Sequence, residues 1–219
     1  MSVSVAILGG TAGLGRALAF RLAKSGCVVF IGSRSRERAV RAAEEVSQRT
    51  GSRDVVGALN EEAAAAARII FVTVPYTGLY EVAKKVKPLL RPDSIIVSCV
   101  VPLESDLGGA LEYLEPPDGS AAEALNRLMG GDRVVSAFTH VSAYELEDLE
   151  RPLNCDVVVC GKRENAEEVM KLLAKIEGLR PLYAGGLRYS RITERLTVLL
   201  IALNRQYGSK SAGVKFTNI

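Results

Sequence analysis

The sequence predicts an α/β fold: a doubly wound parallel sheet with helices on both faces, then a small C-terminal α/β extension ending in a long helix. Three observations predict it. Residues 3–22 read as a β-branched apolar run, a glycine turn (Gly9-Gly10-Thr11-Ala12-Gly13-Leu14-Gly15) and a helical apolar pattern. Strand-like and helical stretches then alternate as far as residue 99. Runs such as Ile69-Ile70-Phe71-Val72-Thr73-Val74 are continuously apolar, as suits parallel strands covered on both faces.

The opening turn fits the dinucleotide fingerprint of a Rossmann-type unit as Gly10-x-Ala12-x-x-Gly15. Gly10 allows the tight turn, the small Ala12 lets backbone approach a pyrophosphate, and Gly15 lets the helix pack close to the strand. The turn from Gly10 through Thr11, Ala12, Gly13 and Leu14 to Gly15 then offers free N–H groups and a helix dipole to phosphates. A turn that merely joins two elements is the competing reading.

The second strand, from Val28, runs into Gly32-Ser33-Arg34-Ser35-Arg36-Glu37-Arg38. An NAD site places an Asp or Glu here for the ribose hydroxyls. Ser33 and Arg34 instead supply a hydroxyl donor and a guanidinium fork, which match an extra phosphate. Arg36 or Arg38 would reach the same charge from the next helix. Cations at a helix N-terminus oppose its dipole, which argues for a compensating anion and hence for NADP. A solvated basic helix start remains the alternative.

Residues 36–50 read as a charged helix with Ala42, Ala43 and Val46 on one face, and 55–58 as a short strand. Asn60 is expected to cap an alanine-rich helix through residue 67, with acids suited to its first turn. The run from Ile69 ends at Pro75; 78–90 is the next crossover helix and 95–99 the strand after it. In such sheets ligands bind beyond the carboxyl ends of the strands. Residues 9–14, Ser33-Arg34, Val74-Pro75-Tyr76 and 98–102 should therefore meet in one crevice. Val74 and Pro75 are expected to line the nicotinamide side with Ser98 nearby, and Tyr76 to form part of the wall or simply to end the strand.

Residues 104–119 carry turn signals and read as a loop region. Ser120 with Glu123 makes a capping box for a helix to residue 129. Strands follow at 134–138 and 157–161, and a helix at 166–176. A segment from Leu182 then leads to a long helix over 190–207, with Leu196, Leu199, Leu200 and Leu203 on one side to pack on the sheet or on a partner subunit. Residues 1–143 are expected to form the dinucleotide-binding domain and 144–219 a smaller part packed on it, or the two to form one continuous domain.

The composition sets limits. A net charge of +3 over 219 residues, with no aromatic-interleaved basic cluster, does not suggest nucleic acid. No apolar run approaches a membrane span, and the chain enters a strand almost at once, which points to a cytoplasmic protein without a signal peptide. Cys27, Cys99, Cys155 and Cys160 form no Cys-x-x-Cys pair, so no metal site is expected. Cys99 and Cys160 read as buried small hydrophobes, and a Cys155–Cys160 bridge is disfavoured.

No acid/base or nucleophile set stands out. His140, after a strand, is the one candidate to face a substrate; a loop or core histidine is the competing reading. Hydride transfer between two carriers needs positioning more than proton chemistry, so the gap fits a redox enzyme whose partner is itself a carrier. Tyr80-x-x-x-Lys84 mimics the catalytic pair of short-chain dehydrogenases but lies on the crossover helix, too early in the chain.

Taken together the sequence resembles the NADPH-dependent reductases of the deazaflavin coenzyme factor 420. The likeness spans nearly the whole chain. It includes Leu8-Gly9-Gly10-Thr11, Gly32-Ser33-Arg34, Asn60-Glu61, Val74-Pro75, Val134-Val135-Ser136-Ala137, Gly178-Leu179-Arg180-Pro181-Leu182, Ser190-Arg191 and Glu194. The resemblance implies reversible hydride transfer between the nicotinamide C4 and the deazaflavin C5. It puts Thr11, Ala12, Leu14, Ser33, Arg34 and Arg38 at NADP-binding positions. It puts Ser98, Val101, Pro102, Val141 and the turn with Leu187, Ser190 and Arg191 near the deazaflavin, and it implies a homodimer. The sequence departs from the family pattern at Tyr76-Thr77-Gly78, at Ser98-Cys99 and at Thr139-His140-Val141-Ser142, all on the second-substrate side. An NADPH-dependent flavin, ferric or quinone reductase and a non-enzymatic NADP-sensing protein are the alternatives.

Overall fold

Strands and helices alternate as expected through the chain, but the strand direction reverses at the seventh strand, Cys155–Gly161. The computed structural model describes residues 3–219. The elements are β1 (Ser4–Leu8), α1 (Gly13–Lys24), β2 (Val28–Ser33), α2 (Arg36–Thr50), β3 (Val55–Leu59), α3 (Asn60–Ala66), β4 (Ile69–Val72), α4 (Leu79–Val86) and β5 (Ile95–Ser98). After them come α5 (Ala121–Met129), β6 (Val134–Ser136), α6 (Ala143–Glu147), β7 (Cys155–Gly161), α7 (Arg163–Leu173), β8 (Leu179–Gly185) and α8 (Ser190–Tyr207).

All eight strands join one sheet in the order β3-β2-β1-β4-β5-β6-β7-β8. The first six run parallel, as the continuous apolar runs indicate. β7 pairs antiparallel with β6, and β8 parallel with β7. Because Ser136 lies opposite Cys160, the first half of β7 extends past the carboxyl end of β6. The reversed strand thus raises a wall beside the crevice.

Alternate strand residues feed two apolar layers. Val5, Ile7, Phe71 and Val97 pack with α1, α2 and α7 on one face. Ala6, Leu8, Val72 and Ile96 pack with α3, α4 and α5 on the other. At roughly 1.5–3 kcal/mol for each large apolar side chain, these layers hold the fold together. Cys27, Cys99, Cys155 and Cys160 are all free and buried. Burial pushes their thiols up, Cys155 to about 11 and Cys160 to about 12.

Several boundaries shift for local reasons. The crossover helix shrinks to α4, flanked by 3₁₀ turns at Tyr76–Gly78 and Lys87–Leu89, the latter holding Pro88. β6 ends early because Phe138, edge-on to Phe71 at 6.4 Å, takes a left-handed φ of 63°. Asn60 is not the cap of α3 but its first residue. Glu62 answers the Leu59 N–H instead, at 3.1 Å.

The long helix begins and ends as expected, with Gly208 left-handed at its C-cap. Its leucine face splits, however. Leu200 is buried, whereas Ile192, Leu199, Leu203 and Tyr207 are exposed. The segment after α8 returns along β7, where Asp156 N–H donates to the Val214 carbonyl at 2.9 Å. The buried Asp156 carboxylate accepts two bonds from Arg180, at 2.8 and 2.6 Å, and one from the Phe216 N–H at 2.6 Å. Arg180 holds that carboxyl below its usual range. Among the described residues, no helix is long and apolar enough to cross a membrane.

Candidate functional site

The β1–α1 turn is built by close approach. Gly9 and Gly13 adopt positive φ, 83° and 50°. They make the left-handed turns that the fingerprint reading gave to Gly10. Gly10 is required for another reason: a Cβ there would meet the Ile7 carbonyl at 2.9 Å. A Cβ on Gly15 would lie 2.4 Å from Thr73 Oγ1 and 2.7 Å from the Gly9 carbonyl, so α1 lies against the sheet. The N–H groups of Gly9 and Gly10 donate to the Gly32 carbonyl at 3.1 and 3.0 Å. Gly9 N–H also donates to Asn60 Oδ1 at 3.3 Å. Asn60 therefore braces the turn, a role that needs the start of α3 laid against β1 and β2 and cannot be read from local sequence.

The N-cap of α1 is Ala12, with no side-chain cap and no acid in the first turn. By contrast Ser35 caps α2 and Ser120 caps α5. The amides of α1 are left for an anion. They open onto a groove of about 300 Å³ lined by Gly9, Thr11, Ala12, Ser33, Arg34, Arg38, Asn60, Val74, Pro75, Thr77, Gly78, Glu81 and Val82.

The second strand delivers the charge. Ser33 is buried, and its Oγ accepts the Ser35 N–H at 3.2 Å, which leaves its proton to give. Arg34 and Arg38 line the groove. Arg36 does not: it pairs with Glu62 and holds that carboxyl below its usual range. Glu81 is an acid on the groove wall that the sequence did not reveal. Its charge is answered by Lys85 at 2.7 Å, which with a smaller contribution from Arg34 keeps the carboxyl low. The glycine-lined turn, uncapped helix and basic rim fit a dinucleotide with an extra phosphate.

Gly10, Gly13, Leu14 and Gly15 shape this turn from behind or beside the groove, and Leu14 packs on the core. Tyr76 turns away. It lines a neighbouring hollow with Tyr80, Leu107, Leu114 and Pro117, while Pro75 keeps the groove side and Thr77 borders both.

The second-substrate residues are not gathered into one cavity. Val101 and Pro102 stand at the carboxyl end of β5, where the Pro102 carbonyl accepts the Leu114 N–H at 3.0 Å. Val141 lies across the sheet in a pocket closed by residues 211–215. Leu187 packs on the α5 side. Ser190 is fully buried, donating to Ser120 Oγ at 2.8 Å, and Arg191 is spent on Glu123 at 2.7 and 2.8 Å. Ser98 is fully buried opposite Ser136, and neither hydroxyl has a partner among the described residues.

His140 is also buried. Nε2 lies 3.2 Å from the Asp156 carbonyl and 3.3 Å from the Val158 N–H, and Nδ1 lies 3.4 Å from Thr139 Oγ1. Burial lowers its pKa, so the ring is neutral and clamps the chain after β6 to β7. Among the described residues no group of three or more His, Cys, Asp or Glu could hold a metal.

Glu194 stands in the family likeness with no role assigned to it. Glu194, on α8, is wholly buried. Its carboxylate accepts the N–H groups of Ala121 at 2.9 Å and Ala122 at 3.1 Å, and the Tyr113 hydroxyl at 2.9 Å. Burial raises it to about 7 against those bonds.

Comparison with known proteins agrees with this geometry. Residues 4–102 match the family described as NADP oxidoreductase, coenzyme F420-dependent. The chain is 40% identical over 223 residues to the F420-dependent NADP reductase of Methanocaldococcus jannaschii, covering 99% of each. It is 38% identical over 225 residues to that of Methanothermobacter thermautotrophicus, covering 100% of this chain and 97% of the other. A crystal structure from an Arthrobacter species, described as a candidate F420-dependent NADP reductase, shares the fold with a TM-score of 0.82 at 22% identity over the full length of both chains. On full-length identity and on the motifs of its N-terminal half, the chain belongs to the family of F420-dependent NADP reductases.

Proposed function

We propose that this chain transfers a hydride reversibly between NADP(H) and the deazaflavin coenzyme F420. The observation that carries the reading is the groove at β1–α1, where an uncapped helix end and close-packed glycines adjoin Ser33, Arg34 and Arg38. The bound nicotinamide and deazaflavin supply the redox chemistry. The chain's own part is to hold and orient. The first turn of α1 takes the diphosphate; Ser33, Arg34 and Arg38 take the ribose phosphate; Val74 and Pro75 border the way to the carboxyl end of β5. We assign His140 no proton transfer, because its ring nitrogens face Thr139 and β7.

An acceptor screen tests this. NADPH oxidation is followed with coenzyme F420, a free flavin, a quinone and a ferric chelate in parallel. The deazaflavin is expected to give by far the highest rate. A faster flavin, quinone or ferric rate would move the chain to another acceptor, and NADPH binding with no acceptor-dependent rate would make it a sensor.

We further propose a homodimer formed through α8, whose exposed Ile192, Leu199, Leu203 and Tyr207 lie along one face of the helix. Light scattering should give twice the chain mass for the wild type and a monomer for Leu199→Glu. A monomeric wild type would rule the dimer out.

A further inference from the structure

We propose that Glu194 is a positioning residue for the second substrate, tying the loop of residues 101–119 and the start of α8 to the amino end of α5 so that the two walls behave as one. The proposal rests on the reductase reading for what those walls hold.

The geometry is specific. Glu194 comes from α8, Tyr113 from the loop, and Ala121 and Ala122 from the first turn of α5. One carboxylate from α8 therefore joins it to both the loop and the start of the helix that follows the loop. A second set of contacts runs beside it: Ser190 to Ser120, and Arg191 to Glu123. Gly119 has a positive φ of 95°, and a Cβ there would lie 2.4 Å from Arg191 Nε. Only glycine lets Arg191 lie across that turn.

Apolar burial does not fix this end of α8. The buried residues of the helix are Ser190, Thr193, Glu194 and Leu200, so polar contacts fix its first turns. A buried carboxylate that lost its donors would cost far more than it contributes, so the three segments are held together or separate together. Of the residues implied for the second substrate, Val101, Pro102, Leu187, Ser190 and Arg191 lie on or beside the segments that Glu194 joins, whereas Ser98 on β5 and Val141 do not. The dinucleotide turn at Gly9–Gly15 and the Ser33–Arg38 rim touch none of them in the polar network.

The groups around Glu194 leave it as the one expected to change charge near neutrality. Tyr113, Tyr76 and Cys160 are pushed up by burial and stay uncharged. Glu123, whose burial is outweighed by hydrogen bonds from Arg191 and Ser120, lies below its usual range. Arg195 pairs with Glu115, and Asp118 with Arg127. A proton on Glu194 removes at least one acceptor from the junction and loosens it.

Glu194→Gln and Tyr113→Phe, each in the full chain, test the proposal by hydrogen–deuterium exchange and by kinetics. Exchange should rise in residues 113–122 and 187–194 and stay unchanged in 9–15 and 33–38. The dissociation constant for NADPH should stay within about twofold of wild type. The acceptor KM should rise about tenfold or more for Glu194→Gln, the scale of one lost charge-assisted hydrogen bond, and less for Tyr113→Phe, with kcat changing less than KM. In the wild type the acceptor KM should climb as pH falls through about 7, and Glu194→Gln should abolish that step. Unchanged exchange in both segments overturns the proposal whatever the acceptor is. So does a parallel rise in the NADPH constant, which would mean general loosening. A wild type without acceptor-dependent turnover would instead sink the reductase reading, and the exchange pattern alone would then decide the role of Glu194.

Discussion

Replacing Arg34 with alanine is expected to weaken NADPH binding by about ten- to a hundredfold and to leave NADH almost unaffected, as follows from about 1.5–3 kcal/mol for a hydrogen bond to a charged group. Arg34 lines the groove, and among the described residues it has neither an ion-pair nor a hydrogen-bond partner, so its fork is available to a phosphate. Ser33, fixed by the Ser35 N–H, points the strand end at the same place. Arg38 lines the groove too and should retain part of the preference, so the double variant with Arg38→Ala is expected to lose most of the discrimination. Titration of each enzyme with both nucleotides measures this. Equal losses for NADPH and NADH would refute the phosphate assignment.

Gly15→Ala should be as damaging, for a steric reason. The new methyl carbon would sit 2.4 Å from Thr73 Oγ1, 2.7 Å from the Gly9 carbonyl and 2.9 Å from Gly10 Cα. Thr73 cannot swing away freely, because its hydroxyl donates to the Leu8 carbonyl at 2.9 Å. The other two atoms are backbone. The helix must therefore lift off the sheet, carrying its uncapped amides out of line. Overpacking of this kind costs roughly 1–3 kcal/mol of stability. Dinucleotide binding should fall further than stability, since it depends on that alignment. Melting curves and NADPH titrations of the same preparation separate the two, and a variant with wild-type affinity would show that the close contact is dispensable.

The sequence carried the dinucleotide half well because its signals are local. A glycine turn between a strand and a helix, a basic strand end, and Ser120 three residues before Glu123 each encode their geometry within a few residues. The bounds of α2 and α8 were legible for the same reason, from periodicity and a stopping glycine. What was not legible depends on chain segments meeting. Asn60 looks like a helix cap until α3 folds back against β1 and β2 and Gly9 comes within reach. The run Val157-Val158-Val159-Cys160 is as apolar as a parallel strand and says nothing of its direction. Arg191 stands among the second-substrate positions and Glu194 among the family-likeness positions with no role, and nothing local shows that both bond to the first turn of α5. The second-substrate positions scatter because Val141 packs with the layer of α1 and Leu187 with the layer of α5.

The four cysteines also bear on how the protein can be handled and watched. With each sulfur enclosed and held as the protonated thiol, the native chain offers little nucleophile to alkylating reagents or peroxide. The sulfurs sit beside α1, at the end of β5 and at both ends of β7, so each becomes chemically visible only when its own neighbourhood opens. They are built-in reporters of local breathing, in place before any label is engineered.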